Sequence, residues 1–270
     1  MRTVVRRIGT IAAAALLLGA CGRTAPPAAP EAESAAASAG QADYVAPPEP
    51  SAAEPGADGA IVLSGISRPD ALIRLASPDG SAVGTTASAD GRWSLTVATG
   101  GQPRLFSLAD AMDGRPLRAR GYLAVLPLPQ PNAAVLRPGT AAAPLGPRQA
   151  VQISAVDFDG AGAAMASGVA APGEAVRLAL DGAYAGEDMA DGRGRFTVSL
   201  TGVLPAGAHT LAAATHSGRA EAAFEAGPAA PIAVPPFNAR RLDRAWRIDW
   251  MTPGGGIQTT LLFDASRSRP

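Results

Sequence analysis

The chain has 270 residues, and its 23 acidic side chains are balanced by 23 basic ones, all of them arginine, so the formal net charge is zero. This balance argues against nucleic-acid binding, which needs basic residues clustered on one face. The single cysteine excludes an intramolecular disulfide, and an aromatic content of 4% predicts thin hydrophobic cores.

Residues 1–20 are organised like a secretory signal peptide. Three arginines precede an apolar run over residues 11–18. This run is too short to cross a bilayer as a stable helix, but it matches the apolar region of an export signal. We therefore expect the mature chain to be exported.

The apolar run ends in Leu18-Gly-Ala-Cys21, which resembles the lipobox of bacterial lipoproteins. The resemblance implies cleavage before Cys21 and acylation of that cysteine, and several acyl chains give stable membrane attachment. Because Gly22 and not aspartate follows, similarity to Gram-negative lipoproteins implies the outer membrane, on its periplasmic face. The alternative is an ordinary signal peptide with a chance cysteine.

Residues 21–57 consist mainly of Ala, Pro, Glu, Ser and Gly and contain almost nothing to bury. Such a composition cannot offset the entropy lost on folding. It predicts a disordered tether that begins at the lipidated Cys21. A Pro-rich extended chain rises ~3.1 Å per residue, so the reach would be on the order of 100 Å.

An internal repeat organises the centre of the chain. Residues 65–97 recur as residues 168–200, 103 positions later and without a gap. Apolar and polar residues alternate within each copy, as in strands with one buried face, and Asp-Gly turns separate these runs. Trp93 and Phe196 are equivalent, and we expect each to fill the core of its module. The pattern predicts an all-β fold with two β-sandwiches.

The second copy carries Gly-x-x-x-Pro-Gly-x-x-Val-x-Leu from Gly168, which resembles bacterial immunoglobulin-like modules of envelope and surface proteins. The first copy departs from this motif at Pro69-Asp70, and it has no counterpart of the closing Gly207-Ala-His-Thr-Leu211. The resemblance implies immunoglobulin-like modules at 58–147 and 148–230. Such modules act as spacers, adhesive units or binding domains, so the fold does not select a function.

Residues 231–270 are predicted to form a C-terminal β-hairpin, with Trp246, Ile248 and Trp250 on one face. An isolated hairpin is marginal in water, so this face must pack on something. Either the hairpin docks on a module of the same chain, adding strands to a sheet edge, or the three residues form a binding surface. In the second case, Trp246 and Trp250 would stack on sugar rings.

No catalytic, cofactor or metal site is predicted. Asp157-Phe-Asp159-Gly160 begins like a calcium loop but lacks the closing glutamate, so a turn is the preferred interpretation. The two histidines, His209 and His216, are an odd number of residues apart on one predicted strand and would face opposite sides. Motifs that pair a nucleophile with a base are missing.

These features predict a non-catalytic envelope lipoprotein that acts as a structural or protein-interaction module. Its expected partners are the membrane, through the lipid on Cys21, and an envelope protein or the cell wall. The alternative is a glycan- or peptidoglycan-binding module that uses the aromatic face of the hairpin.

Overall fold

The computed structural model describes residues 45–112, 114–127, 132–146, 151–234 and 236–264. The predicted signal peptide, Cys21 and most of the predicted tether lie outside these ranges. The chain is all-β, as its sequence predicts, and Ala46–Pro270 form one compact unit. None of the helical segments in the described residues is long and apolar enough to cross a membrane.

Two facing sheets form the first β-sandwich. Its strands are β1 (Glu49–Pro55), β2 (Ile61–Ile66), β3 (Leu72–Ala76), β4 (Ala82–Thr86), β5 (Arg92–Val97), β6 (Arg104–Met112), β7 (Arg115–Arg118), β8 (Tyr122–Leu126), β9 (Asn132–Leu136) and β10 (Ala143–Pro144). One sheet has the order β1-β2-β5; the other has the order β10-β9-β8-β6-β3-β4, with β7 beside β6. Trp93 lies in the core between them, as the sequence predicts.

The second β-sandwich repeats this plan. Its strands are β11 (Gln152–Asp159), β12 (Ala164–Val169), β13 (Ala175–Leu180), β14 (Ala183–Met189), β15 (Arg195–Ser199), β16 (Gly207–Ala214), β17 (Arg219–Ala226), β18 (Phe237–Arg241), β19 (Ala245–Met251) and β20 (Ile257–Phe263). The sheet orders are β15-β12-β11-β20-β19-β18 and β14-β13-β16-β17. Phe196 fills the core between these sheets.

The sequence repeat is also a structural repeat. Strands β1, β2, β3, β5 and β6 begin 103 positions before β11, β12, β13, β15 and β16. The irregularities repeat as well, because a β-bulge falls between Pro50 and Ala52 in β1 and between Ile153 and Ala155 in β11. The two modules are therefore copies of one β-sandwich.

The Gly-aromatic pair shared by both copies has a steric cause. A Cβ atom on Gly65 would lie 2.5 Å from Cζ2 of Trp93, and one on Gly168 would lie 2.5 Å from Cζ of Phe196. Both distances are shorter than carbon atoms tolerate, so only glycine lets each ring pack directly on the neighbouring strand. Asp70, at which the first copy departs from the motif, has a φ of 57°, a left-handed conformation that aspartate tolerates.

A third hydrophobic core joins the two sandwiches. Apolar residues on the outer face of β6, β8 and β9 pack against apolar residues of β11, β19 and β20. The first sandwich contributes Leu105, Ala124, Leu126, Ala134 and Leu136, and the second contributes Ala155, Trp246, Ile248, Trp250 and Leu262. The four sheets are consequently stacked in layers, and the two middle sheets are buried on both faces over this area.

Three boundaries differ from those expected from the sequence. Strand β1 pairs with β2, so the first sandwich begins by Glu49, inside the predicted tether of 21–57. Residues 139–147, which are rich in Ala and Pro and which the sequence predicts to be a linker, contain β10, which pairs with β9. The predicted hairpin exists as β19 and β20, but β20 pairs with β11. The hairpin is thus an extension of a sheet of the second sandwich and not a separate element.

Candidate functional site

The three residues of the predicted binding surface lie in the core between the sandwiches. Trp250, Ile248 and Trp246 are 0%, 1% and 8% exposed. The indole Nε1 of Trp250 donates to Oγ1 of Thr260 at 3.1 Å, and its ring meets that of Tyr122 edge-on, with centroids 6.0 Å apart. The prediction of a glycan-stacking surface at these residues is therefore corrected. The hairpin docks on its own chain, because the outer face of the first sandwich offers apolar area to cover.

A buried carboxylate fastens the segment between the sandwiches. The backbone N–H of Ala142 donates to Oδ2 of Asp157 at 2.7 Å. Oδ1 of Asp157 accepts from Oγ1 of Thr260 at 2.5 Å and from Nε2 of Gln258 at 3.3 Å. Burial raises the pKa of Asp157 to about 6, although the three donors oppose the rise. Thr260 accepts from Trp250 as well, so this network links the hairpin core to the connecting backbone.

Two further side chains of the second sandwich hold the same segment. Gln258 accepts from the N–H of Gly139 at 3.3 Å and donates from Nε2 to the carbonyl of Thr140 at 3.3 Å. Ser167 donates from Oγ to the carbonyl of Ala142 at 2.6 Å. The connection between the sandwiches is therefore fixed by hydrogen bonds over residues 139–142.

A buried ion pair on β19 holds the segment that follows β17, from Gly227 to Ala230. Nε of Arg247 lies 3.0 Å from Oδ1 of Asp249, and both side chains are almost completely buried. Arg247 also donates to the carbonyls of Gly227 and Pro228, at 3.1 and 2.7 Å, while Asp249 accepts from the N–H of Ala230 at 3.1 Å. These groups satisfy a backbone segment that has no sheet partner there.

The residues that resemble the start of a calcium loop have separate structural roles. Asp159 closes a turn, because Oδ1 accepts from the N–H groups of Ala161 and Ala163 at 2.9 and 3.1 Å. Asp157 belongs to the network described above. Within the described ranges no three His, Cys, Asp or Glu side chains meet in a group that could hold a metal ion.

The two histidines lie in different environments. His209 is buried on β16, with Nδ1 2.7 Å from Oδ2 of Asp181 and Nε2 2.9 Å from the carbonyl of Pro205. The hydrogen bond to Asp181 raises the pKa of His209 above its ordinary value, while burial acts in the opposite direction. His216 is exposed in the turn that follows β16.

A cavity of about 410 Å³ opens beside the segment that connects the sandwiches. The connecting segment and strands β11, β12, β14 and β15 contribute residues to its lining. Its charged lining residues include two arginine–carboxylate pairs, Arg195 with Asp191 at 3.1 Å and Arg137 with Glu49 at 3.9 Å. Sequence reasoning did not single out this place, because its walls come from distant parts of the chain.

The polar networks at the junction were not predicted from the sequence either. The junction itself, however, is indicated by a pattern in the sequence. Strand β8, Tyr-Leu-Ala-Val-Leu, and strand β9, Asn-Ala-Ala-Val-Leu, do not alternate between apolar and polar residues. A continuous apolar run of this length indicates a strand that is buried on both faces. The outer cover over β8 and β9 was therefore predictable, although its identity was not.

No protein-family model matches the chain, and no curated protein matches it. Among solved structures it is similar to the central fibronectin-III array of a RIM-binding protein, with 14% identity and a TM-score of 0.25, over 78% of this chain and 74% of that one. It is also similar to the BSP domain of a biofilm-associated protein, with 15% identity and a TM-score of 0.23, over 68% and 30% of the two chains. A bacterial ice-binding adhesin of 1.5 MDa gives 14% identity and a TM-score of 0.18, over 76% and 57%. At these identities a likeness concerns fold and not function.

Proposed function

We propose that the protein is a non-catalytic envelope lipoprotein that serves as a structural or protein-interaction module at the periplasmic face of the outer membrane. The observation that carries this proposal is the third hydrophobic core, which joins two copies of one sandwich into a single compact unit. Two modules joined by a flexible linker would have no need of a buried junction. A joined pair holds its outer sheets at a fixed separation, which suits a spacer or a scaffold.

The buried ionisable groups of the junction support a structural role. Asp157, Arg247 and Asp249 each bond to the backbone or to neighbouring side chains of the same chain. Their hydrogen-bonding capacity is spent on holding connecting segments in place. An active site would instead direct such groups into a cleft that a substrate can enter.

The anchor rests on the sequence of the first 21 residues. The lipobox-like Leu18-Gly-Ala-Cys21 follows an apolar signal region, and the only cysteine of the chain stands at the position that this motif requires. Because the compact unit begins at Ala46, residues 22–45 would serve as the tether and span at most about 75 Å in extended form.

Metabolic labelling with a palmitate analogue tests the anchor. We expect the wild-type chain to carry the label and to fractionate with membranes, and Cys21→Ser to lose both properties. As a matched control, Cys21→Ser combined with Ser51→Cys moves the single cysteine to an exposed position of β1 and should also remain unlabelled. An unlabelled wild-type chain, or a Cys21→Ser chain that stays in the membrane fraction, would contradict the anchor.

Photo-crosslinking in intact cells tests the interaction role. A photoreactive amino acid at Ile66 or at Tyr184, which are exposed on the two outer sheets, should yield a discrete adduct with a second protein. The same amino acid at the buried Trp250 should give no intermolecular adduct. If neither position gives an adduct with a second protein, the proposal of an interaction module is contradicted.

A further inference from the structure

Strand β4, at one edge of the first sandwich, lacks the features that normally prevent an edge from pairing with a further strand. Its sequence, Ala-Val-Gly-Thr-Thr, contains neither a charged residue nor a proline. In the described part of the chain, every other strand at a sheet edge contains at least one of these, namely β1, β5, β7, β10, β14, β15, β17 and β18. Charged residues and proline protect sheet edges from association. The edge of β4 is therefore open to pairing.

The backbone groups at this edge are exposed and available. The N–H of Ala87 donates to the carbonyl of Ala71 at 2.9 Å, and these two residues continue the register of the β3–β4 pair. Bonding alternates along an antiparallel ladder, so every second residue of β4 turns its backbone groups away from β3. These outward-facing residues are Ala82, Gly84 and Thr86. All three are exposed, and their outward-facing groups have no hydrogen-bond partner among the described residues.

The corresponding strand of the second sandwich is protected in two ways that β4 is not. Glu187 and Asp188 place charges on β14. The carbonyl of Ala185 also accepts from the N–H of Thr201 at 2.9 Å. Ala82 occupies the equivalent position in the first copy, and no such bond reaches it within the described ranges. The duplicated fold thus contains a protected and an open version of the same edge.

The strand that matches this edge best is β4 of a second copy. Antiparallel pairing centred on Gly84 places Ala82 opposite Thr86, so all outward-facing groups find partners in about six backbone hydrogen bonds. At the alternate positions Val83 lies opposite Thr85, and β-branched pairs of this kind stabilise a sheet. Glycine at the centre lets the two backbones approach closely.

The charges near the strand do not oppose this pairing. Asp79, in the turn before β4, lies 3.5 Å from a nitrogen of Arg104, and Asp90, in the turn after it, lies 3.0 Å from Nε of Arg92. Arg74 lies on β3 beside Gly84. Three strand spacings of ~4.8 Å would separate it from Arg74 of the second copy. This separation exceeds the Debye length of ~8 Å at physiological ionic strength, so the repulsion is largely screened.

We propose that β4 is a dimerisation edge, at which two copies of this chain pair antiparallel and join their seven-stranded sheets into one. A two-fold axis at Gly84 relates the copies, so the contact is isologous and closes at two. The axis runs perpendicular to the joined sheet, which leaves strand β1 of both copies on the same side of the dimer. The inference does not rest on the lipid anchor, but this arrangement lets two tethers reach one membrane.

Disulfide trapping with the full chain in detergent micelles tests the proposal. Val83→Cys and Thr85→Cys are prepared separately, each with Cys21→Ser, so that the introduced cysteine is the only one. Opposed residues that share no hydrogen bonds lie ~4.5 Å apart at Cα, within the range of a disulfide. We expect an oxidised mixture of the two variants to crosslink several-fold faster than either alone. Ser51→Cys, at an exposed position of β1, is the control and should not crosslink faster in a mixture with Val83→Cys than alone.

Charge substitution provides a second test, also with Cys21→Ser chains in micelles. Val83 is 41% exposed, and Tyr184, on the corresponding strand β14, is 51% exposed. In sedimentation experiments Val83→Lys should raise the dissociation constant of the dimer at least about tenfold, whereas Tyr184→Lys should leave it unchanged. Hydrogen exchange at the amides of Gly84 and Thr86 should slow as the dimer forms and stay fast in Val83→Lys.

Three results would overturn the proposal. The first is a chain that stays monomeric up to about 1 mM, and the second is a cysteine mixture that crosslinks no faster than its components. The third is a Tyr184→Lys chain that dimerises as weakly as Val83→Lys. Slow exchange at Gly84 and Thr86 in a monomer would assign the edge to another segment of the same chain and would also overturn it.

Discussion

His209 shows how a single residue can make the stability of this fold depend on pH. Both groups within hydrogen-bonding distance of its ring nitrogens, the carboxylate of Asp181 and the carbonyl of Pro205, can only accept hydrogen bonds. A neutral imidazole has one N–H and leaves one acceptor unpaired, whereas the imidazolium satisfies both. This is the physical reason why the pKa of His209 is raised in the folded chain.

The raised pKa predicts a loss of stability at alkaline pH. The contribution of His209 is complete below its unfolded pKa of 6.5 and is lost as the pH rises through the higher pKa of the folded state. We expect the melting temperature to fall over this window, and His209→Gln to remove most of the fall above about pH 7, because glutamine does not titrate. Thermal melts between about pH 6 and about pH 9 provide the measurement.

The exposed His216 offers a matched control for this prediction. His216→Gln removes the other histidine of the chain and should leave the pH dependence of the melting temperature unchanged. Equal pH dependence in the wild type and in His209→Gln would show that the ring is not the titrating group.

Asp157 titrates in a different window and with its own cause. Burial raises the pKa of this carboxyl from 3.8 to about 6, so its contribution to stability is complete below pH 3.8 and is lost as the pH rises toward 6. The shift corresponds to up to about 3 kcal/mol. This window lies mostly below that of His209 but overlaps its lower end, so comparison of the wild type with His209→Gln is needed to separate the two effects.

At the scale of elements, the hairpin β19–β20 is the part on which the junction depends. It extends one sheet of the second sandwich, and its aromatic face covers the outer face of the first. Removing one large side chain from this core should therefore weaken the whole folded unit and not the hairpin alone.

We expect Trp250→Ala to lower the free energy of unfolding by about 3–5 kcal/mol, the usual cost of truncating a buried aromatic residue. Urea denaturation measured by circular dichroism gives the value. Ile257→Ala, at a 40% exposed position of β20, should cost about 1 kcal/mol or less. If the two variants lower the free energy of unfolding by the same small amount, the ring of Trp250 does not stabilise the core between the sandwiches as described.

The element scale also shows what sequence patterns can and cannot predict. The alternating strands of both copies, their turns and the hairpin were predictable, because one-sided burial leaves a period of two. Strand β1 was not, because Glu-Pro-Ser-Ala-Ala-Glu-Pro contains no large apolar residue and has a proline at its second position and another at its end, as edge strands tolerate. Its place follows from pairing with β2, which is a tertiary contact.

The candidate site was less predictable than the fold. Trp246, Ile248 and Trp250 were correctly placed on one face, but a periodic pattern does not reveal whether water or another sheet covers that face. Asp157 was expected to belong to a turn, although its spacing to Asp159 also suits a calcium loop. Only the position of Ala142, 15 residues earlier in the chain, shows that the carboxylate has a different partner.

At the scale of the whole molecule, the shared core should make unfolding cooperative. Leu126 lies in that core, on the face of β8 that points away from the interior of the first sandwich. Leu126→Asp would place a charge between the sandwiches without entering the core of either, and burying an unpaired charge is costly.

We expect Leu126→Asp to split the single thermal transition into two and to increase the radius of gyration. Calorimetry and small-angle X-ray scattering measure these changes. Leu72→Asp is the matched control, because Leu72 belongs to the same sheet but is 53% exposed; it should retain one transition and the wild-type dimensions. A single transition in both variants would mean that the sandwiches unfold together for another reason.

The stacking of the sandwiches is head-to-tail, and this determines where the assembly stops. The first copy contributes the sheet that contains β3 and β6, whereas the second contributes the sheet that contains β11 and β12, so the two contacting surfaces are not equivalent. A heterologous contact of this kind can in principle add further copies without limit and form a fibre. Here the surfaces that make the contact depend on strands outside the repeat, β8 and β9 in one copy and β18–β20 in the other. Within the described residues, the two outer sheets, β1-β2-β5 and β14-β13-β16-β17, lack counterparts of these strands. The stacking of sandwiches therefore stops at two copies.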